Sequence, residues 1–432
     1  MDRVAVQRDR KAAPARPARR TPRPRPTERG EPMILRADDD LADLRKVLRD
    51  FLDEDDITTA PEGQPRWDPA RWARACEELG LAGVAEPEEL GGAGIGVAGL
   101  AIVLEEAGRV LSPLPILSSV VLAQGLLARA GDEKARAEML PALLEGSRTA
   151  TVALGALGAL GALGALGALG ALGALGALGA LGALGALGAL RDDGTVPEDL
   201  ESAAQADGTW TVTGFTSFVL DGATAGWVFV RARTTDGARL FVVDTDDPQV
   251  RCTVQESMDL TRSFARLDFK GATARPVGAP GISDTFLPDL QNLLTVAVAC
   301  EQLGGAEEAL RMAVDYVKVR VQFGREIGSF QAIKHRCADL AIATDDARSA
   351  TVHAVWALHE ESEQLPMAAS MAAVVCTRTF QDCARENIHL HGGIGFTWEH
   401  PAHLYFRRAT SDAALFGDIR SHRENVLVAA GI

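Results

Sequence analysis

From Asp38 to about Gly146 the apolar positions recur at intervals of three and four. Leu41, Leu44, Val47, Leu48, Phe51 and Leu52 come first, followed by GLAIVLEEAGRVL and SSVVLAQGLLARAG. That period belongs to amphipathic α-helices. Between them, ELGLAGVAEPEELGGAGIG holds the glycines and proline that interrupt helices, and reads as a loop. Over 205–275 the period changes to two: β-branched and aromatic residues alternate with polar ones, and turn signals such as Asp-Gly recur. A small antiparallel β domain is expected there. From Pro288 onward long amphipathic segments return, over 288–320, about 330–362, 366–390 and 399–429. Four helices of that length predict an antiparallel bundle. The expected architecture is therefore mainly α with a central β domain: a tail over 1–34, helices over 35–147, a β domain over 148–284 and a four-helix bundle over 285–432.

The β region is interrupted by a pure Ala-Leu-Gly cycle over 153–190. A period of three advances 300° per repeat on a helix of 3.6 residues per turn, so leucine drifts around the axis and forms no fixed apolar face. Its twelve glycines would each cost ~1 kcal/mol in a helix. Proline, which collagen needs, is absent from it. The tract is long enough to span a membrane, but frequent glycine offsets the weak preference of each leucine for the bilayer centre. The reading is a low-complexity insertion between TATVAL and RDDGTVPEDL, with no membrane span.

Composition adds three points. The chain is 47% apolar, enough for a large interior. The net charge of −15 conceals a basic head: residues 1–33 carry ten Lys/Arg against four acids, leaving about −21 on the rest. A body that acidic is a poor nucleic-acid binder. The head is Pro- and Arg-rich, lacks a signal peptide's apolar core and is expected to be disordered, with Met33 as an alternative start. Six scattered cysteines fit a reducing cytoplasm. His389, His391, His400 and His403 lie close in sequence without a zinc-type Cys or acid pattern, so they are expected to line turns and helix ends, and no metal is expected.

The stretch with most chemistry is ACEQLGGAEEALRMAVDYVKVRVQFGREIGSFQAIKHRCADL, Ala299 to Leu340. A helix ends in RVQFG, a Gly-bounded turn follows, and Ser329 stands where it would cap the next helix. An arginine at a helix end beside a turn is a good anion partner, because its planar fork matches phosphate oxygens.

This block resembles the flavin-binding signature of the acyl-CoA dehydrogenase family. Further matches are GLAGVAEPEELGGAG (Gly80 to Gly94), VTGFTSFVLDG (Val212 to Gly222) and HLHGGIGFTWEHPAHLYFRRA (His389 to Ala409), in the family's order across nearly all of 36–432. The resemblance implies α,β-desaturation of an acyl-CoA thioester by FAD bound between the β domain and the C-terminal helices. It also implies a homo- or hetero-oligomer and an electron-transfer flavoprotein or similar acceptor. Arg320, Phe323 and Gln331 fall on FAD-contacting positions, Gly392 and Gly393 on a glycine pair lying against the cofactor, and His389 on a place usually held by Gln. Phe218 and Leu220 stand where Trp and Thr often meet the flavin, and the Ala-Leu-Gly tract takes the place of a ring-side loop.

The match fails at the base. The family's usual glutamate would stand nine residues after Arg407, where this chain has Phe416; an isovaleryl-type base would stand at Leu294. The remaining acids are Glu301, two helical turns from Leu294, and Asp418 and Asp412, which flank Phe416; none is in register. Three readings stay open: an active dehydrogenase with a displaced base, a non-catalytic FAD-binding subunit whose partner supplies the base, and a flavin oxygenase or other reaction on the same fold.

Overall fold

A computed structural model describes residues 39–54, 68–154, 200–206, 208–415 and 419–432. The tail, all but the first two residues of the Ala-Leu-Gly tract, and Asp418 lie outside them. The N-terminal region holds α1 (Asp39–Leu52), α2 (Pro69–Leu79), α3 (Val97–Arg109), α4 (Gly125–Arg129) and α5 (Glu133–Leu144). Local chemistry sets their ends. Asp68 accepts the Ala70 N–H at 2.9 Å, Pro69 opens α2, and Gly80 closes it in the left-handed region at φ 60°. Leu48, Phe51 and Leu52 of α1 are buried as the period requires, whereas Val47 is half exposed. The stretch before α4 departs from expectation: Ile116–Gln124 is wound as a π-helix with every residue buried.

The β region comprises β1 (Ala150–Ala153), β2 (Leu200–Ala204), β3 (Trp210–Leu220), β4 (Trp227–Thr234), β5 (Gly237–Asp244), β6 (Val250–Gln255) and β7 (Phe264–Val277). Most pairings are antiparallel, as expected, but β1 and β2 both run parallel to β4. The pairings β4–β2–β3–β7–β5–β4 close into a ring, with β1 and β6 at its flanks. Alternation sorts the side chains. Val228, Val230, Phe241, Val243, Leu267 and Phe269 fill the barrel, while Phe229, Leu240 and Val242 turn outward into the helical core.

The C-terminal region begins with the 38-residue α6 (Ile282–Val319), then a hairpin of β8 (Val321–Gln322) and β9 (Arg325–Glu326), α7 (Gln331–His359) and α8 (Leu365–His391). The fourth expected segment is two helices, α9 (Ala402–Leu415) and α10 (Ile419–Ala429). α6 crosses α3 at glycines: a Cβ on Gly304 would lie 1.8 Å from the Glu105 carbonyl oxygen, and one on Gly108 1.9 Å from that of Glu301. No side chain fits there. Gly304→Ala is therefore expected to destabilise the fold by roughly 3 kcal/mol through overpacking, read as a lower midpoint in urea unfolding. The same contact fixes Glu301, one turn before Gly304, against α3.

Candidate active site

Two regions carry the chemistry. The first lies at one end of the bundle, where Ala313 and Val317 of α6, Leu390 of α8, Ile327, and Ile333 and Cys337 of α7 share one apolar cluster. Around it sit Arg320, Phe323, Gln331, His389, Gly392 and Gly393, all exposed. Arg320 is the residue after α6: its N–H donates to the Tyr316 carbonyl and its own carbonyl accepts from Ile327 N–H at 2.8 Å, holding the hairpin back against the helix. Phe323 and Gly324 form the hairpin's two-residue turn with φ 54° and 78°. Tight hairpins want that sign at both positions; the phenylalanine is 91% exposed, its ring meeting that of Phe330 edge-on at 6.3 Å. Ser329 does not cap α7, because its hydroxyl donates to the Glu326 carbonyl at 2.6 Å and the capping position falls to Phe330.

Gly392 turns the chain after α8 at φ 64°, and a Cβ on either Gly392 or Gly393 would meet nothing within 4 Å among the described residues. His389 points outward with Nδ1 3.1 Å from Glu386 Oε1. His391 is buried between the rings of Tyr316 and His400, at 4.2 and 4.1 Å. Burial lowers the pKa of both stacked histidines, and for His400 the neighbouring His391 and His403 lower it further. No group of three or more His, Cys, Asp or Glu is placed to hold a metal among the described residues.

The second region is a cleft lined by Leu104, Leu114, Leu117, Leu220, Asp221 and Glu301 among others; it spans ≈ 350 Å³ counting its open mouth, but only ≈ 20 Å³ is free space for a solvent-sized occupant. Its floor is a buried ion cluster. Arg408 Nη1 donates to Glu301 Oε1 at 2.5 Å and its Nε to Asp259 Oδ2 at 2.7 Å, while Nη2 reaches the Thr261 hydroxyl and carbonyl. Arg262 Nη2 donates to Glu301 Oε2 at 2.9 Å and to Asp412 Oδ1 at 3.1 Å. Burial alone would raise the Asp259 carboxyl, but Arg408 and Arg262 hold it below its ordinary range. Asp412, whose Oδ2 is buried without a partner among the described residues, is instead pushed up to about 6 by burial.

Asp221 closes β3 and lines the cleft. Its Oδ2 accepts from Ser118 Oγ at 2.5 Å, and burial raises its carboxyl to about 6 from an ordinary 3.8. A raised acid favours the protonated fold, so this contribution is full below pH 3.8 and is lost as the pH climbs through 6. Asp221→Asn should therefore gain on the wild type between pH 4 and 7, by at most about 3 kcal/mol. Urea titrations at the two pH values measure it.

The structure places the sequence candidates differently. Glu301, a candidate base, has both oxygens committed to arginines, and Leu294 is buried apolar surface. Sequence reasoning passed over Asp259, Arg262, Arg408, Ser118 and Asp221. The signal was present in MDLTR, two charges within a strand-like stretch, and in Asp221, which reads merely as half of an Asp-Gly turn. Arg407 and Arg408 are adjacent but lie about 100° apart on α9: the first stacks on exposed Trp398, and the second is 1% exposed.

Residues 38–147 match the family model described as acyl-CoA dehydrogenase, N-terminal domain, and residues 292–430 that of the C-terminal domain. The acyl-CoA dehydrogenase IpdE2 of Mycobacterium tuberculosis is 33% identical over 353 residues, 81% of this chain and 83% of its own. FadE27 of the same organism, also an acyl-CoA dehydrogenase, is 31% identical over 356 residues, 80% of this chain and 84% of its own. Among solved structures, the ChsE4-ChsE5 complex from Mycobacterium tuberculosis superposes with a TM-score of 0.71 at 27% identity, covering 90% of this chain and 97% of the matched one.

Proposed function

Because this chain belongs to the acyl-CoA dehydrogenase family of flavin oxidoreductases, we propose that it binds FAD and serves the α,β-desaturation of an acyl-CoA thioester. The observation that carries this is the exposed constellation at the bundle end. Arg320 offers a planar cationic fork suited to phosphate oxygens. Phe323 presents a ring that the fold itself leaves in solvent. Gly392 and Gly393 leave open the space a side chain would fill, which suits the close approach of an outside group to the backbone. These residues fit a large planar, phosphate-bearing cofactor. Gln331 and His389 add exposed polar groups on the same end.

When bound, FAD supplies a two-electron acceptor for hydride. The chain's own part is to hold the cofactor through Arg320 and the Gly392–Gly393 turn, to exclude water from the bound thioester and to set a base beside its α carbon. The scattered thiols suit a reducing cytoplasm, and an electron-transfer flavoprotein or similar acceptor would carry the electrons onward. The test is to incubate the flavin-loaded protein with acyl-CoA thioesters and an artificial electron acceptor. An enoyl-CoA lighter by two hydrogens is expected; unchanged thioester from every chain length and every subunit combination would refute the reading.

A second reading is favoured by the tightness of the cleft, whose ≈ 20 Å³ of free space is far below the several hundred Å³ usual for ligand sites. In it, this chain contributes FAD contacts to a hetero-oligomer and the partner supplies the base. The observed complex of ChsE4 with ChsE5 supports that arrangement by analogy. Co-expression with the product of a neighbouring gene separates the two readings: flavin retention and turnover only in the pair favour the second.

A further inference from the structure

The histidines near the C-terminus, expected from the sequence to line turns and helix ends, meet under the Gly392–Gly393 turn. Tyr316 of α6, His391 at the end of α8 and His400 ahead of α9 stack in one column, with ring centroids 4.2 and 4.1 Å apart. The column ties together the two parts proposed to hold the cofactor. At one end, the Tyr316 carbonyl accepts the Arg320 N–H at 2.9 Å. At the other, His391 immediately precedes Gly392, and the loop folds back so closely that a Cβ on Gly395 would lie 2.8 Å from the His391 Cβ. The His391 ring cannot leave the column without disturbing the turn.

Hydrogen bonds fix where the ring protons sit. The Asn387 carbonyl, 2.8 Å from His391 Nδ1, can only accept, so that nitrogen carries a proton and Nε2 a lone pair. The Ala402 N–H, 3.2 Å from His400 Nδ1, can only donate, so the His400 proton is on Nε2 while its Nδ1 caps the first N–H of α9. Both rings are neutral in this arrangement. A proton added at His400 Nδ1 breaks the bond to Ala402, and one added at His391 Nε2 puts a cation into a buried stack. The groups facing the pair offer no carboxylate to balance it. From α6 comes Tyr316, from α7 the Cys337 thiol in the apolar cluster with Leu390, and from α9 His403, edge-on to Trp398 with Arg407 over the same indole. The nearest acids in sequence are Glu386, paired with His389 and Arg336, and the exposed Glu399. Burial therefore lowers the pKa of both rings, and His391 and His403 lower that of His400 further. A lowered histidine supports the closed form fully above its ordinary 6.5, and that support is lost as the pH falls.

We propose that the Tyr316–His391–His400 column is a proton-operated latch of the cofactor site: neutral, it holds the Gly392–Gly393 turn in place, and a proton taken up by either histidine unseats the column and loosens FAD. The proposal rests on the FAD reading above. Its sign sets it apart from simple charge attraction. A proton on the exposed His389 would favour a phosphate-bearing ligand, so that residue acts in the opposite direction.

FAD titration of the full chain, followed by flavin fluorescence, should give a level affinity near pH 8 that falls below about pH 6.5, by about tenfold per pH unit for each proton taken up. Fluorotyrosine supplies a readout that needs no cofactor. The chain has two tyrosines: Tyr316 lies in the column, and Tyr405 is buried with its hydroxyl donating to the Arg109 carbonyl. In fluorine NMR of the apoprotein the Tyr316 resonance should step over the same pH range while that of Tyr405 stays still. The double variant His391→Phe with His400→Asn keeps a ring against Tyr316 and an acceptor for the Ala402 N–H, but has no imidazole to protonate; both steps should vanish. FAD affinity that stays level or rises from about pH 8 to 5 overturns the latch. So does a step that the double variant keeps, or a Tyr405 resonance that moves together with that of Tyr316, the mark of general acid unfolding. Absence of FAD binding at every pH, alone and with a partner subunit, removes the cofactor reading instead, and the latch then stands or falls on the Tyr316 step alone.

Discussion

Exchanging Arg408 for methionine is expected to destabilise the protein by about 3–5 kcal/mol, because it strands Asp259 and Glu301 as buried charges with one cation fewer between them. Arg408 is 1% exposed and bonds a loop of the β region (Asp259, Thr261), the middle of α6 (Glu301) and its own helix α9 into one unit. Arg262 remains to offset part of the loss, since it also reaches Glu301 and Asp412. The large cost comes from breaking the cluster, and replacing it wholesale should be far milder. A triple variant, Arg408→Met with Asp259→Asn and Glu301→Gln, should recover much of the stability in urea unfolding. If the single variant unfolds like the wild type, the cluster is not the clamp described.

The second large effect concerns cofactor affinity. Arg320→Ala should weaken FAD binding by roughly 10–100-fold, the worth of a charge-assisted hydrogen bond to phosphate. Gly393→Ala makes the sharper comparison. Its new Cβ meets nothing within 4 Å among the described residues, so unfolding stability of the apoprotein should stay within about 0.5 kcal/mol of the wild type, while FAD titration shows a loss of affinity. A fall in stability with unchanged FAD affinity would mean that the turn serves the fold alone.

Much of the architecture was readable because it depends on local periodicity. The three-and-four spacing of α1, the alternation that sends Val228 and Val230 one way and Phe229 the other, and the long C-terminal segments each declare an element and its buried face. The place of Arg320 at the end of α6, beside a Gly-bounded turn, was readable too, while its cofactor role came only from the family resemblance. What escaped depends on distant partners. The ring of strands closes through β4–β5 and β2–β4, pairings that alternation cannot specify. The ion cluster joins residues up to 150 positions apart, as in Arg262 with Asp412, and nothing local distinguishes Arg408 from half-buried Arg407. Asp221 hides in the same way: Asp-Gly after a strand is an ordinary turn until Ser118, 103 residues earlier, is found against its carboxylate.

The central claim, a flavin-dependent acyl-CoA dehydrogenase whose bundle end holds the cofactor, meets its most direct test in the visible spectrum of the purified protein. The spectrum is recorded anaerobically before and after addition of short-, medium- and long-chain acyl-CoA thioesters, for the chain alone and with its candidate partner. The account predicts a yellow protein whose flavin bands bleach with at least one thioester, and in which Arg320→Ala loses the yellow colour on dialysis. A protein that stays colourless when supplied with FAD, alone and with its partner, would contradict it.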